Sequence, residues 1–283
     1  MAAQRKNAEG AAAALGRLIR GEPVLRVCVT HGNGPQVGLL AQEDVDSGLD
    51  VLDAESEGQV GFLLEMAISN ELGGACDVAT LLTQVVVDPQ DPAFDHPSKP
   101  IGRWYGQAEA ARLAADKGWV VLPDGDRWRR VVASPAPRAI VELGAVRTLL
   151  EAGVVVICCG GGGIPVAEEG PAARRRGVEA VVDKDAASAL LAEQLGADWL
   201  IMLTDAEAVF DPDKWPQERV PLHSPVGVAE VEARAFAAGS MGPKRAAAAA
   251  FVRGRRGGRA AVGAIDDLLD IVRGRAGTVV VGE

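Results

Sequence analysis

Apolar runs alternate with helical patterns along most of this chain. Residues 25–30, 78–87, 154–159, 199–204 and 278–281 are mostly continuous apolar runs, and each is predicted to be a strand. Such runs suit a parallel sheet covered on both faces. Between them, apolar positions at helical spacing predict helices at about 55–72, 107–117, 138–152, 185–196, 227–238 and 244–256. In the helix after Asp185, Ala187, Leu190, Leu191 and Leu195 fall at i, i+3, i+4 and i+8, one face toward a sheet, and Asp185 is placed as the N-cap. Alanine-rich 11–14 and 246–250 read as good helix formers. This alternation predicts an α/β fold with a mainly parallel sheet.

One segment breaks the alternation. Between 89 and 137 lie Pro89, Pro92, Pro97, Pro100, Pro123, Pro135 and Pro137, with Trp104, Trp119 and Trp128. That composition predicts a small excursion from the main sheet with its own aromatic cluster.

Two glycine turns follow predicted strands. Thr30-His31-Gly32-Asn33-Gly34-Pro35-Gln36-Val37-Gly38 comes directly after one, and Gly160-Gly161-Gly162-Gly163-Ile164-Pro165 after another. Gly32 and Gly34 let a ligand approach the backbone, and N–H groups at a strand–turn–helix junction attract phosphate or carboxylate oxygens. Ligands of parallel sheets bind at the carboxyl ends of strands, where both turns and the pair Thr204-Asp205 are expected.

Charge narrows the function classes. The formal net charge is −10, which argues against a nucleic-acid or anionic membrane surface as partner. No apolar run approaches the ~20 residues that span a bilayer. The four cysteines, Cys28, Cys76, Cys158 and Cys159, form no CxxC pair and read as buried thiols of a reducing cytoplasm, not as a metal site. Walker A needs Gly-Lys, which this chain lacks, and Gly32-x-Gly34-x-x-x-Gly38 is not the dinucleotide fingerprint. No Ser-His-Asp order presents itself.

Basic residues are 23 Arg but only six Lys, and three of those, Lys99, Lys184 and Lys244, stand in glycine-, proline- or aspartate-marked loops. A compact, mobile ammonium is what such a loop gains from lysine over arginine. Chance placement explains the three lysines equally well. Glycine turns and loop lysines around one carboxylate, Asp185, suit phosphoryl transfer, which asks a protein to align two anions and neutralise their charge. By itself, Asp183-Lys184-Asp185 reads more readily as a solvated helix cap.

Taken together, the motifs resemble the carbamate kinases of the amino acid kinase family. The first glycine turn is joined by Leu82-Thr83-Gln84-Val85, Asp91-Pro92-Ala93-Phe94, Lys99-Pro100-Ile101-Gly102 and Pro123-Asp124-Gly125. Further on come Cys159-Gly160-Gly161-Gly162-Gly163-Ile164-Pro165, Gly177-Val178-Glu179-Ala180-Val181-Val182-Asp183-Lys184-Asp185, Leu203-Thr204-Asp205 and Ala238-Gly239-Ser240-Met241-Gly242-Pro243-Lys244. They run in family order over nearly the whole chain.

The resemblance implies a three-layer αβα sandwich with an open, mostly parallel sheet. About 1–150 would form an acid-substrate lobe with a protruding subdomain at about 90–137, and about 151–283 a nucleotide-binding lobe. It implies reversible transfer between ADP and carbamoyl phosphate giving ATP and carbamate, with Mg²⁺ carried by the nucleotide phosphates, in a cytoplasmic homodimer of arginine metabolism. Lys184 and Lys244 match the phosphoryl-stabilising lysines, Asp185 the organising aspartate, and Lys99 the lysine reaching in from the subdomain. Gly32, Asn33 and Gly34, with Gly160, Gly161, Gly162 and Gly163, match the turns lining the phosphate region. Thr204, Asp205, Ala208, Val209, Phe210 and Met241, with Lys244, lie where the family binds nucleotide. The pattern departs at its start: family members open with a strand ending in Gly-Gly-Asn-Ala-Leu, whereas this sequence opens with what resembles the following helix. The expectation is a truncated reading with a core strand missing. The alternative reading is a non-catalytic nucleotide-binding relative, regulatory or a dimer partner. The basic run Arg174-Arg175-Arg176 is expected to be a solvated loop.

Overall fold

A computed structural model of the chain describes residues 2–34, 38, 40, 41, 47–170, 173–236 and 241–282. Its strands are β1 (Cys28–Val29), β2 (Val78–Thr80), β3 (Gln84–Val87), β4 (Lys99–Tyr105), β5 (Val120–Asp124), β6 (Arg127–Val132) and β7 (Pro137–Ile140). They continue as β8 (Val155–Ile157), β9 (Ile164–Glu169), β10 (Arg174–Gly177), β11 (Trp199–Thr204), β12 (Val226–Gly227), β13 (Arg259–Ala264) and β14 (Thr278–Val281). The helices that concern the site are α1 (Ala2–Gly21), α2 (Leu49–Leu72), α3 (Gln107–Lys117), α4 (Leu143–Glu151), α5 (Lys184–Leu195), α6 (Val228–Ala233), α7 (Met241–Gly254) and α8 (Leu268–Val272).

The fold is mixed α/β with mostly parallel pairing at its centre. β8 lies between β1 and β2, all three parallel. β11 runs parallel to β13, and β14 closes that sheet antiparallel to β13 and parallel to β12. A third sheet pairs β3 with β9 in parallel and carries β7 and β10 on its outer edges. Helices cover these sheets: α1 and α2 pack their apolar faces (Ala8, Leu15, Leu18; Leu63, Leu64, Ile68) over Val155 and Ile157. β1 and β11 are edge strands of their sheets, and Val27, Val29, Ile201 and Leu203 meet in that same apolar cluster.

The excursion is an antiparallel sheet, β4-β6-β5, with α3 alongside. Cation–π contacts rigidify it: Arg129 lies 4.8 Å over Trp104 and Arg130 4.6 Å over Trp119, while Trp128 faces Tyr105 and Pro123 across the ladders.

Several boundaries differ from the pattern-based expectation. The run 78–87 is two strands, because the chain leaves the β8 sheet after Leu81 and joins β9 at Gln84. The helix expected from 138 begins at Leu143, since Pro137–Ile140 pair with β3. β13 was missed because Ala260, Ala261 and Gly263 give it little hydrophobic mass. Arg174–Gly177 is a strand and not a loop: it pairs with β9, and Arg175 and Arg176 meet Glu168 and Glu169 across it. The helix expected over 227–238 ends at Ala233, and residues 237 and 238 lie outside the described residues. Among the described residues no helix is long and apolar enough to cross a membrane.

Candidate functional site

The N-terminus of α5 is the centre of the site. Asp183 has extended backbone angles, and its Oδ1 accepts from the N–H groups of Asp185 (2.9 Å) and Ala186 (3.2 Å). Asp183 is therefore the N-cap, which corrects the expectation of Asp185. Freed from capping, Asp185 points from the first turn toward α7. There Lys244 Nζ lies 3.2 Å from its Oδ1 and 3.1 Å from its Oδ2. From β4, Lys99 Nζ reaches Asp183 Oδ2 at 2.5 Å. Lys184 lies against Gly32, where a Cβ would stand 3.2 Å from Nζ. Burial first, then the charge of Lys244, lowers the Lys184 pKa, while Asp185 and Asp183 oppose the shift. Thus β4, α5 and α7 bring Lys99, Lys184 and Lys244 together around two aspartates.

The two glycine turns meet directly. Gly161 N–H donates to His31 O at 2.7 Å, joining the turn after β8 to the turn after β1. A side chain at Gly161 (φ +70°) would strike Asn33, and one at Gly162 (φ +110°) would lie 2.3 Å from Val182 O. Only glycine tolerates that combination of positive φ and close backbone. Gly160 and Gly163 are equally enclosed, by His31 and Val85. Gly34 also takes positive φ, while Asn33 is buried and donates to Ser56 Oγ at 2.5 Å. Pro35, Gln36 and Val37, and Ala238, Gly239 and Ser240, lie outside the described residues.

Sequence reading missed the support beneath both turns. On α2, Ser56 holds Asn33 and donates to Asp53 O, while Glu57 Oε1 accepts from Gly160 N–H (2.8 Å) and Oε2 from Thr83 N–H (3.1 Å). Thr83 Oγ1 in turn accepts from Cys159 N–H at 3.0 Å. Burial drives the Glu57 pKa up to about 7, against the pull of those N–H groups. Burial also lowers His31 to about 4 and, with Glu57, raises Asp53. A signal was present: Asp53, Ser56 and Glu57 share the helix face of Leu49, Leu52, Leu63 and Leu64, where a solvated face does not lie.

The residues matched to nucleotide binding lie at the end of β11, in the stretch after it and at the start of α7. Thr204 ends β11 and Asp205 is exposed just beyond it. Ala208 and Val209 are buried, and Val209 N–H donates to Thr278 Oγ1 at 3.0 Å, so Val209 sits in the core with Leu222 and Val262. Phe210 bridges to Pro221 and stacks on Trp215 at 5.5 Å. Met241 opens α7 and packs against the same core as Val209. Among the described residues no hydrogen bond or ion pair links Thr204 or Asp205 to the three lysines. Nor does any group of three or more His, Cys, Asp or Glu there stand ready for a metal ion.

Three ammonium groups beside a helix N-terminus and two glycine turns can hold and neutralise phosphoryl oxygens. The description "Amino acid kinase family" matches residues 2–262. The chain is 46% identical over 285 residues to the carbamate kinase of Rhizobium meliloti, covering 98% of this chain and 86% of that protein. It is 45% identical over 263 residues to that of Haemophilus influenzae, covering 90% of this chain and 83% of that one. Among solved structures, the Giardia lamblia carbamate kinase bound to AMP-PNP superposes with a TM-score of 0.85 at 37% identity, covering 99% and 91% of the two chains.

Proposed function

This chain belongs to the carbamate kinases of the amino acid kinase family and is by kind a phosphotransferase; on that premise we propose that it transfers a phosphoryl group reversibly between carbamoyl phosphate and ADP, giving ATP and carbamate. The observation that carries the reading is the convergence of Lys99, Lys184 and Lys244 on Asp183 and Asp185 beside the joined glycine turns. In the forward direction an oxygen of the ADP β-phosphate attacks phosphorus as the bond from phosphorus to the carbamate oxygen breaks. Lys184 and Lys244 neutralise the charge spread over the equatorial oxygens, and Asp185 keeps Lys244 aimed. Lys99 holds the phosphate of the acid substrate, exchanging its contact with Asp183 for one with the incoming anion. The cationic donor set suits a nucleotide whose own phosphates carry Mg²⁺, an ion that supplies further charge neutralisation when bound.

In this reading residues 1–150 bind the acid and 151–283 the nucleotide, through Thr204, Asp205, Ala208–Phe210 and Met241. The reading extends to a cytoplasmic homodimer in arginine metabolism, and sedimentation of the purified chain tests the dimer. The deciding experiment is ATP formation from ADP, Mg²⁺ and carbamoyl phosphate. Nucleotide binding without ATP formation would replace this reading with that of a non-catalytic relative.

A further inference from the structure

The lysine chemistry leaves the buried polar face of α2 unexplained. Glu57 is only 1% exposed, yet both of its oxygens are engaged, and both by backbone donors. We propose that Glu57 is a positioning residue for phosphoryl transfer: its carboxylate anchors the Gly160 turn to α2, and loss of its charge releases that turn. The proposal rests on the carbamate kinase reading.

Two N–H groups converge on one side chain, one on each oxygen. Only a carboxylate accepts strongly at both sites; a neutral carboxyl offers at one of them just the weaker acceptor of its hydroxyl oxygen, and an amide turns an N–H there instead. The anchor reaches two successive residues of the turn, Gly160 directly and Cys159 through Thr83 Oγ1. From Gly160 the chain runs into Gly161, whose N–H holds His31 O, so the first turn is tied to the same post.

The surroundings make the charge hard to keep. Asp53 stands one turn earlier on α2, 2% exposed with both oxygens unpartnered among the described residues, and Glu142 faces Glu57 from the start of α4. His31 flanks Gly160 from the first turn and stays neutral down to about pH 4, and Cys158 adjoins from the end of β8 with its thiol pKa raised. No cation among the described residues pairs with Glu57. Burial and Glu142 favour the neutral acid and the N–H groups favour the carboxylate, so the balance falls at about 7. The anchor is then engaged above neutrality and weakened below it.

Glu57→Gln imitates the protonated state permanently, which makes the test specific. Amide hydrogen exchange across 159–163 in the whole chain is followed from pH 6 to pH 8.5, corrected for intrinsic exchange, alongside the KM for carbamoyl phosphate. In the wild type, protection of the Gly160 amide is expected to rise by at least about tenfold across this range, the effect of regaining one buried charge-assisted bond. Glu57→Gln is expected to stay at the low-pH level throughout, with KM raised more than kcat is lowered. Thr83→Val, which removes the strut to Cys159 together with the hydroxyl's bond to Leu81 O, is expected to lose protection at Cys159 and to keep a pH step at Gly160, moved to higher pH because the Thr83 hydroxyl also favours the Glu57 carboxylate. A flat wild-type profile, or a Gln variant as protected as the wild type at pH 8.5, would overturn the proposal. Protection that tracks the charge while no form makes ATP would overturn the carbamate kinase reading and leave the anchor standing.

Discussion

Lys244 lies within 3.2 Å of both carboxylate oxygens of Asp185, across the gap between α7 and α5, with each side chain nearly nine-tenths buried. A pair this enclosed is costly to leave half-made. Lys244→Ala is expected to lower kcat by about 10²–10³-fold, the scale of removing one donor to developing charge. Stability is expected to fall by about 1–3 kcal/mol, because the buried Asp185 loses this partner. Steady-state kinetics and urea melts check the two effects separately.

Lys99 stands apart from that pair, on the excursion, and meets Asp183. Its removal is expected to act on the acid substrate. Lys99→Ala should raise the KM for carbamoyl phosphate by about 10–100-fold, the range of one charge-assisted bond, with a much smaller change for ADP. Equal effects on both substrates would place Lys99 in the fold and not in the site.

Asp183 has two tasks, capping α5 and holding Lys99. Burial pulls its pKa up, but Lys99 and the two cap N–H groups overcome this and leave it below the usual 3.8. The stability it contributes is therefore present above pH 3.8 and lost as pH falls through the depressed folded value. Asp183→Ala is expected to cost about 1 kcal/mol at pH 7 and progressively less as pH falls below 3.8, as read from denaturant melts.

His31 gives the opposite type of group the same direction of pH dependence. Burial lowers it from 6.5 to about 4, so between those values the unfolded chain takes up a proton that the folded chain refuses. Its contribution is full above pH 6.5 and lost as pH falls toward 4. Comparing the wild type with His31→Gln isolates this slope from that of Glu57, which runs the other way between 4.5 and about 7. A His31→Gln variant with an unchanged pH–stability curve would contradict the assignment.

Gly162 meets two prohibitions at once, φ of +110° and a carbonyl oxygen 2.3 Å from where a Cβ would sit. Gly162→Ala is expected to destabilise by about 1–3 kcal/mol and to abolish tight substrate binding. Gly153→Ala, also at positive φ but with open space around it, is the control for strain alone.

Much of this was legible in the chain. The strand 199–204 could be read because its apolar positions are large, and the helix 107–117 and the helix after Asp183 because strong helix formers fill them. β13 could not be read, since alanines and a glycine in a central strand carry no pattern. The lysines and glycines announced themselves through residue type and turn context. The α2 anchors did not, because Asp53, Ser56 and Glu57 are polar by type, and only their place on the leucine face of α2 marks them as buried. The cap was misplaced by two residues because Asp183 and Asp185 are equally good capping residues, and only backbone angles distinguish them.

Both glycine turns are thus gauged against one rigid rod, since Ser56 and Glu57 are neighbours on α2 and each governs one turn. For anyone redesigning this protein to accept a bulkier acid, that arrangement divides the molecule into a part to leave alone and a part to vary. A library that randomises α2 would detune both turns together and return mostly dead clones. One that varies β4 and β6 around Lys99 alters the reach of a single contact and keeps both glycine turns in register.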